Sequence, residues 1–530
     1  MECPESRTDF FRVEYYSREV SFFPESPTWE SVFGLVVNIG IFLRSLGTMV
    51  LLLGIAMVVS VSLSAMVPAG DLHETGLDLK GWAISLSIAV VFGAGLWARG
   101  MIMARRSKRA VAMRRREAMA LVGAGWFVCS AVAALPYYFC APGVPYDFAY
   151  FEGASGLTTT GSTVFVDLGE LPKSILMWRS VTQWVGGMGI LAMFVVVLSG
   201  MTSSSKTLIG AESSLSNSDL ASLRQTMRRL WLLYFGFTVL CGVGLWLMGF
   251  SPFQAVNHAL TALSTGGFGT EDASAAGDPF GSGSKIWLIF FMLIGAMSFP
   301  LYLSLVKRKW SDLRSRFEEV GWFLGLVVLG SVILLVERFS GGSEIGPVDV
   351  VFNVVSAATS TGYVSTDFGQ WSRLGIGLLL LFVVIGGCSG STAGGLKVSR
   401  ILLWVRFLKA GLHRTFRPRL VEPVRLNGRK VGDDTGEQLF LVLSLFGFFL
   451  MTGTFALQLM EPDQSLLGSL SAILSCLGNF GPALAEMGMF DSFAMVGTPT
   501  KLMFSALMIL GRLEYVALLV LFSRQLWKRY

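Results

Sequence analysis

Four short stretches of the 530-residue chain join a small apolar segment to a glycine flanked by small polar residues: YFEGASGLTTTGST, VNHALTALSTGGFG, VFNVVSAATSTGYV and LSAILSCLGNFGPA. The glycines that align are Gly161, Gly266, Gly362 and Gly481, separated by 105, 96 and 119 residues. Glycine relaxes the φ/ψ limits and keeps side chains out of the way, so such a segment can present bare backbone carbonyls. Four segments around one axis would form a ring of oxygens able to replace the hydration shell of a potassium ion. The hydroxyls of Thr159, Thr160, Ser264, Thr265, Ser360 and Thr361 are placed to support such strands by hydrogen bonding. This is ion-coordination chemistry, not acid–base or nucleophilic chemistry. The sequence has no GxxxxGK[ST] nucleotide loop, no HExxH and no GxSxG elbow, so it is read as a non-enzyme unable to hydrolyse ATP itself. Its three histidines, His73, His258 and His413, are too scattered to form a metal cluster. The six cysteines show no CxxC pairing and read as small apolar packing residues.

The elements that must position these segments are membrane helices. Hydrophobic residues make up 53% of the chain and charged residues 15%, against about 25% charged in a typical soluble domain. A bilayer core of ~30 Å needs ~20 apolar helical residues to cross it. Ten segments meet that length: 38–67, 82–104, 118–140, 175–199, 229–250, 285–306, 319–337, 374–404, 437–460 and 498–523. Residues 1–30 lack the basic start and short apolar core of a secretory signal, and read as a cytoplasmic tail. Alternate loops are basic, with Arg105 to Arg116, Lys307 to Arg316 and Arg406 to Lys430 among them. The others carry acids such as Glu152, Asp272, Asp349 and Asp463. The positive-inside rule then puts both termini and the basic loops in the cytoplasm. The net charge of +6 is thereby a topology signal, with anionic lipid or a protein partner as the sharper alternative and nucleic acid disfavoured.

The four glycine segments fall between spans three and four, five and six, seven and eight, and nine and ten. This makes a fourfold internal repeat of span, re-entrant half-helix, glycine strand and span. The predicted architecture is all-α and membrane-integral, with four pseudo-symmetric repeats around a central ion pore and two extra helices in front. Expected units are a tail at 1–31, a two-helix part at 32–104, and repeats at 105–204, 205–312, 313–430 and 431–530. Irregular backbone at membrane depth is tolerated only where it lines a cavity or is buried in protein. The half-helices would also turn their partly negative C-terminal ends towards a cation.

The eighth span is interrupted by the run Gly386 to Gly395, rich in small helix-weak residues. It reads as an unwound intramembrane loop, with tight helix packing as the alternative. Pro300 is expected to kink the sixth span and Arg44 to snorkel near the start of the first. Arg179 is expected to brace the first glycine strand. Arg512, inside the last span, either pairs with Glu514 or faces a cavity.

The glycine segments, together with WRSVTQWVGGMGI (178–190), IGGCSGSTAGGLKVSR (385–400) and LGRLEYVALLVLF (510–522), resemble the Trk/Ktr/HKT potassium transporters. The two leading spans make the chain similar to the TrkH branch, over roughly residues 38–526. The resemblance implies a potassium-uptake pore in the bacterial inner membrane, usually a homodimer. It also implies a cytoplasmic nucleotide-binding regulatory subunit of the TrkA type, with 406–430 a plausible docking surface. It implies a filter, binding K⁺ as the ion carried, at Thr159, Thr160, Gly161 and Ser162; Ser264, Thr265, Gly266 and Gly267; Ser360, Thr361, Gly362 and Tyr363; and Asn479, Phe480, Gly481 and Pro482. The fourth segment departs from the TG pattern, in a form usual for that branch. A serine at the first filter glycine accompanies sodium preference in some plant relatives, and Gly161 fits potassium. The resemblance further implies a gate at Gly387, Cys388, Ser389, Gly390, Ser391, Thr392, Gly394, Gly395 and Lys397, and an electrostatic barrier at Arg512. A sodium-selective or sodium-coupled transporter of the same fold is the alternative. An intramembrane enzyme is disfavoured, because the spans lack a suitable acid or Ser/His pair.

Overall fold

The protein is described from a computed structural model over residues 39–66, 78–106, 115–141, 143–308, 310–341, 345–368, 371–417, 423–484, 493–513 and 515, with 200–219 omitted. The expected N-terminal tail, most of the basic loops at 107–114 and 200–219, Glu514 and the C-terminal tail lie outside these residues.

Among the described residues the regular elements are helices apart from a two-stranded hairpin, β1 (Arg425–Leu426) and β2 (Arg429–Lys430). Two long helices come first among them, α1 (Ile39–Met66) and α2 (Leu79–Arg106), packed closely on each other. Gly47 of α1 and Gly100 of α2 meet the partner helix's backbone, leaving no room for a Cβ. The first repeat is α3 (Arg115–Cys140), the half-helix α4 (Tyr146–Leu157) and α5 (Lys173–Ser199). The second is α6 (Leu220–Leu247), the half-helix α7 (Pro252–Leu263), then α8 (Ser282–Ala296) and α9 (Phe299–Val306). The third is α10 (Trp310–Gly341), the half-helix α11 (Pro347–Ala358), then α12 (Arg373–Ile385) and α13 (Val398–Phe416). The fourth is α14 (Asp433–Met460), the half-helix α15 (Leu466–Gly478) and α16 (Thr498–Arg512).

Local chemistry starts each half-helix cleanly. Pro145 is the N-cap of α4, and Pro252 and Pro347 open α7 and α11, where a missing N–H costs nothing. Ser251 and Gln254 form a capping box on α7, and Ser465 caps α15 through the Gly468 amide. The half-helices and the helices that follow them close a ring. In order round it, α4 packs on α5, α5 on α7, α7 on α8, α8 on α11, α11 on α12, α12 on α15, α15 on α16, and α16 back on α4.

Six described helices are long and apolar enough to cross a membrane, or seven with the bent pair α8–α9. The difference from ten expected spans has local causes. The eighth span stops after the 13 residues of α12. The tenth leaves the described residues soon after α16, and the described side chains of α5 end at residue 189. The sixth span is not merely kinked at Pro300. It breaks at Met297–Ser298 and turns by 91°, with Pro300 in the first turn of α9, where it is tolerated. The break is occupied by the interrupted eighth span: the Cys388 amide donates to the Ala296 carbonyl (2.9 Å) and the Phe299 amide to the Gly390 carbonyl (3.0 Å).

Candidate ion pathway

Each half-helix ends in the same way. The amides of Thr160, Gly266, Thr361 and Phe480 donate back to the carbonyls of Ser155, Thr261, Ser356 and Ser475, at 2.9–3.0 Å. This six-residue closure requires a left-handed residue before it. Thr159, Thr265, Ser360 and Asn479 fill that place, with φ of 52°, 52°, 50° and 51°. Two residues on, Gly161, Gly267, Gly362 and Gly481 have φ of 88°, 75°, 85° and 103°. The structure therefore corrects the alignment of the second segment. Its equivalent glycine is Gly267, and Gly266 takes the place of Thr160, Thr361 and Phe480. Ser264 drops out of the strand as the helix C-cap, matching Thr158 and Thr359. The adjacent glycines of STGG permit either alignment, and matching TG to TG selects the wrong one.

The four corrected glycines seat on one another's neighbours. A Cβ on Gly161 would overlap the Gly266 carbonyl oxygen, one on Gly267 that of Thr361, and one on Gly362 that of Phe480. A Cβ on Gly481 would lie 2.6 Å from the Thr160 oxygen. The segments thus close head to tail into a ring in which side chains are excluded at four equivalent points. Every residue from Thr158 to Thr160, Ser264 to Gly266 and Thr359 to Tyr363 is buried.

Side chains from within the segments and from around them hold the ring. The Ser155 and Ser356 hydroxyls donate to the Ser162 and Tyr363 carbonyls at 2.6 and 2.7 Å. The Ser162 hydroxyl reaches the Gly481 carbonyl (2.9 Å), and the Asn479 amide reaches Thr160 Oγ1 (3.0 Å) and the Met508 carbonyl (2.9 Å). Gln183 donates to the Gly266 carbonyl (2.7 Å) and accepts from the Phe268 amide (3.2 Å). Arg179 and Glu152 form a fully buried ion pair at 2.7 Å. Glu152 also accepts from Thr163 and the Val164 amide, while Arg179 donates to the Gly269 carbonyl and lies over the Phe268 ring. Arg179 thus braces two segments rather than one. Glu152, counted in the sequence as an acid of an outer loop, is inside half-helix α4.

Directly against this ring packs the loop 386–397. Gly386, Gly390, Gly395 and Lys397 all have positive φ, which ends α12 and leaves the backbone unwound. All of Gly387 to Leu396 is buried except Gly395, which is partly covered. The Thr392 hydroxyl donates to the carbonyls of Leu263 (3.1 Å) and Gly295 (2.9 Å) and accepts from Thr265 (3.3 Å). The Gly394 amide donates to Ser360 Oγ at 2.5 Å, and a Cβ on Gly394 would collide with the Gly478 carbonyl. Ser391 Oγ donates to the Cys388 carbonyl and Lys397 Nζ to the Ala393 carbonyl. The loop therefore touches the second, third and fourth segments at their half-helix ends.

Arg512 closes α16 and is buried, with its Nε and Nη2 lacking a hydrogen-bond partner among the described residues. It follows Gly511, which abuts the Leu477 carbonyl, and is within electrostatic reach of Tyr234 in the second repeat. The Thr159 Oγ1 and Asn479 Oδ1 oxygens are likewise buried without a described partner. Buried polar atoms of this kind are rare unless water or an ion serves them. Among the described residues, no group of three or more His, Cys, Asp or Glu could hold a metal ion.

Several of these supports escape a reading of sequence. Ser155, Thr261, Ser356 and Ser475 all stand four residues before the left-handed position, a repeat visible once the register is right, although only the Ser155 and Ser356 hydroxyls reach their own strand. Glu319 in α10, whose carboxylate accepts from the Ser389 amide at 2.6 Å, carries no such signal.

The family model TrkH, described as a cation transport protein, matches residues 83–529. The Trk system potassium uptake protein TrkH of Salmonella typhimurium is 32% identical over 450 residues, covering 83% of this chain and 91% of that protein. The Trk system potassium uptake protein TrkI of Halomonas elongata is 32% identical over 456 residues, with 84% and 90% covered. The crystal structure of the potassium transporter TrkH from Vibrio parahaemolyticus matches with a TM-score of 0.78 at 27% identity, covering 92% of this chain and 99% of that one.

Proposed function

Because the chain belongs to the TrkH family of cation transport proteins, a multi-pass membrane transporter and not an enzyme, we propose that it conducts potassium into the cell through the ring at Gly161, Gly267, Gly362 and Gly481. The observation that carries this reading is the ring's closure, each glycine fitting against a carbonyl of the next segment so that only backbone lines four equivalent points. Fixed carbonyl oxygens suit a desolvated monovalent cation, which loses its water without meeting a formal negative charge. The names of the relatives, all potassium uptake proteins, support potassium over the sodium alternative. K⁺ is then the cargo, bound in passing at carbonyl oxygens of Thr159–Ser162, Thr265–Phe268, Ser360–Tyr363 and Asn479–Pro482.

The loop 386–397 is the gate in this reading, because it is the irregular polar segment packed under three of the four half-helix ends. Arg512 is a cationic barrier beside it. The chain is read as a tail at 1–31, a two-helix part at 32–104 and repeats at 105–204, 205–312, 313–430 and 431–530, although α2 runs on to Arg106 and α10 opens at Trp310. Both termini lie in the cytoplasm of an inner-membrane homodimer, and a nucleotide-binding regulatory subunit docks on the basic surface near 406–430.

Proteoliposome flux tests the filter. Gly161→Ser should lower the preference for K⁺ over Na⁺ severalfold, and an unchanged permeability ratio would remove the ring from selection. An impermeant thiol reagent added outside intact cells should label Asp463→Cys and leave Arg417→Cys unlabelled; the opposite pattern would invert the topology.

A further inference from the structure

Two consecutive carboxylates at the cytoplasmic start of α10 face different partners. Glu319 is buried and turns to the intramembrane loop, where its carboxylate accepts from the Ser389 amide at 2.6 Å. Ser389 and Ser399 share a short hydroxyl contact that ties the start of the loop to the start of α13, and the Ser399 amide and Lys397 also lie within reach of Glu319. Glu318, partly exposed, turns the other way. It pairs with Arg406 of α13 and accepts from the Asn427 amide at the tip of the β1–β2 hairpin (2.7 Å). Arg406 in turn donates to the Arg425 carbonyl of that hairpin.

A buried carboxyl is costly unless its oxygens are used, and Glu319 gives one to the Ser389 amide of the loop. We infer that Glu318 and Glu319 form a two-ended clamp, in which Glu319 is a positioning residue that fixes the loop 386–397 and Glu318 ties the same helical turn to the cytoplasmic hairpin. A partner that moves the hairpin would then move the loop, since neighbouring residues of one helix turn cannot shift independently. The functional weight of the clamp rests on the loop being the gate, but the clamp itself can be read without measuring flux.

Cys388 supplies the readout. Its thiol is fully buried inside the loop, while Cys241 and Cys476 are fully buried elsewhere. Labelling of the full-length protein in proteoliposomes with N-ethylmaleimide, followed by mass spectrometry, gives the three rates separately. Glu319→Ala should speed Cys388 labelling about tenfold, the weight of one lost hydrogen bond that leaves the buried Ser389 amide unpaired, with Cys241 and Cys476 unaltered. Glu319→Gln keeps an acceptor oxygen for the Ser389 amide and should stay within about twofold of the parent. Glu318→Ala should speed Cys388 about threefold through its neighbour. An unaltered Cys388 rate in Glu319→Ala, or equal acceleration of all three thiols, overturns the clamp. Glu319→Gln behaving as Ala overturns the assignment to the Ser389 amide, and an unaltered rate in Glu318→Ala overturns the coupling to the hairpin. Potassium flux in the same samples addresses the gate separately: faster Cys388 labelling with unchanged flux upholds the clamp and removes the loop as gate.

Discussion

The ring of glycine segments and the loop packed beneath it are both irregular backbone, yet they are held in opposite ways. The ring is built four times, with a left-handed residue at the same place, the same six-residue closure and a glycine two residues on in each copy. Its supports are mostly local or between neighbours in the ring, and each segment's glycine depends on the next segment's carbonyl. The loop is built once, after α12 alone, and is held by partners from several repeats: Leu263 and Gly295 of the second, Glu319 and Ser360 of the third, Gly478 of the fourth. Fourfold repetition suits a device that surrounds an ion, because equivalent oxygens give it no preferred side. A single copy suits control, because one element can be displaced without dismantling the other three quarters of the ring.

The sharpest way to break this comparison is to attack the ring at its repeated point. Gly267→Ala puts a Cβ at φ of 75° and onto the Thr361 carbonyl. The left-handed conformation alone costs about 1–2 kcal/mol with a side chain, before any overlap is counted. Potassium uptake should fall more than about tenfold in the flux assay. Gly266→Ala has an ordinary φ and its Cβ would lie 2.4 Å from the Gln183 carboxamide, a side-chain end that can give way, at a place where other segments carry Thr160, Thr361 and Phe480. It should lose clearly less than Gly267→Ala, with the shift of the Gln183 hydrogen bonds as its cost. A larger loss from Gly266→Ala than from Gly267→Ala would restore the uncorrected register and dissolve the fourfold match.

A second manipulation removes the single-copy element and spares the repeated one. Shortening the loop within 388–394 should raise potassium flux severalfold and weaken its dependence on a regulatory partner, while the K⁺/Na⁺ ratio holds. The two measurements separate the regions, since the proposed function assigns selection to the ring and control to the loop. Normal folding with flux and regulation both unaltered would make the loop a packing element and move the barrier to Arg512. A changed ion ratio would mean that the ring cannot stand without what lies beneath it.

What the sequence makes legible follows the same division. The four half-helices and the break in the eighth span are readable because their signals are local: short apolar runs with a glycine element after them, and a run of glycines inside a span. The register of the second segment is not readable, because Gly266 and Gly267 are equivalent as letters and differ only in φ. The 91° break between α8 and α9 is hidden in a continuous apolar run, since its cause is a loop ninety-odd residues further on. Arg179 can be suspected from its place at the end of a span, but its partner Glu152 looks like any loop acid until α4 is seen to bury it. Glu319 is hidden for the same reason, its use being fixed by Ser389, 70 residues away.

The smallest effect tests how the two regions are joined. Thr392 is the loop residue whose side chain reaches furthest into the second repeat, with hydrogen bonds to the carbonyls of Leu263 and Gly295 and to the Thr265 hydroxyl. Thr265 is the left-handed residue of the second segment, so this one hydroxyl touches both ring and loop. Thr392→Val keeps the shape and removes the donor. The Gly295 carbonyl still accepts from the Thr392 amide at 3.2 Å, whereas the Leu263 carbonyl loses the donor that Thr392 gave it. The net loss is at least that of one neutral hydrogen bond, about 1 kcal/mol. If the loop is held against the ring in order to be released, that loss should raise flux by about two- to tenfold with the K⁺/Na⁺ ratio unaltered. If the hydroxyl instead serves the ring, by fixing Thr265 in its left-handed conformation, the ion ratio should change and the flux should fall. The sign of the flux change in one isosteric variant thus decides which region Thr392 belongs to.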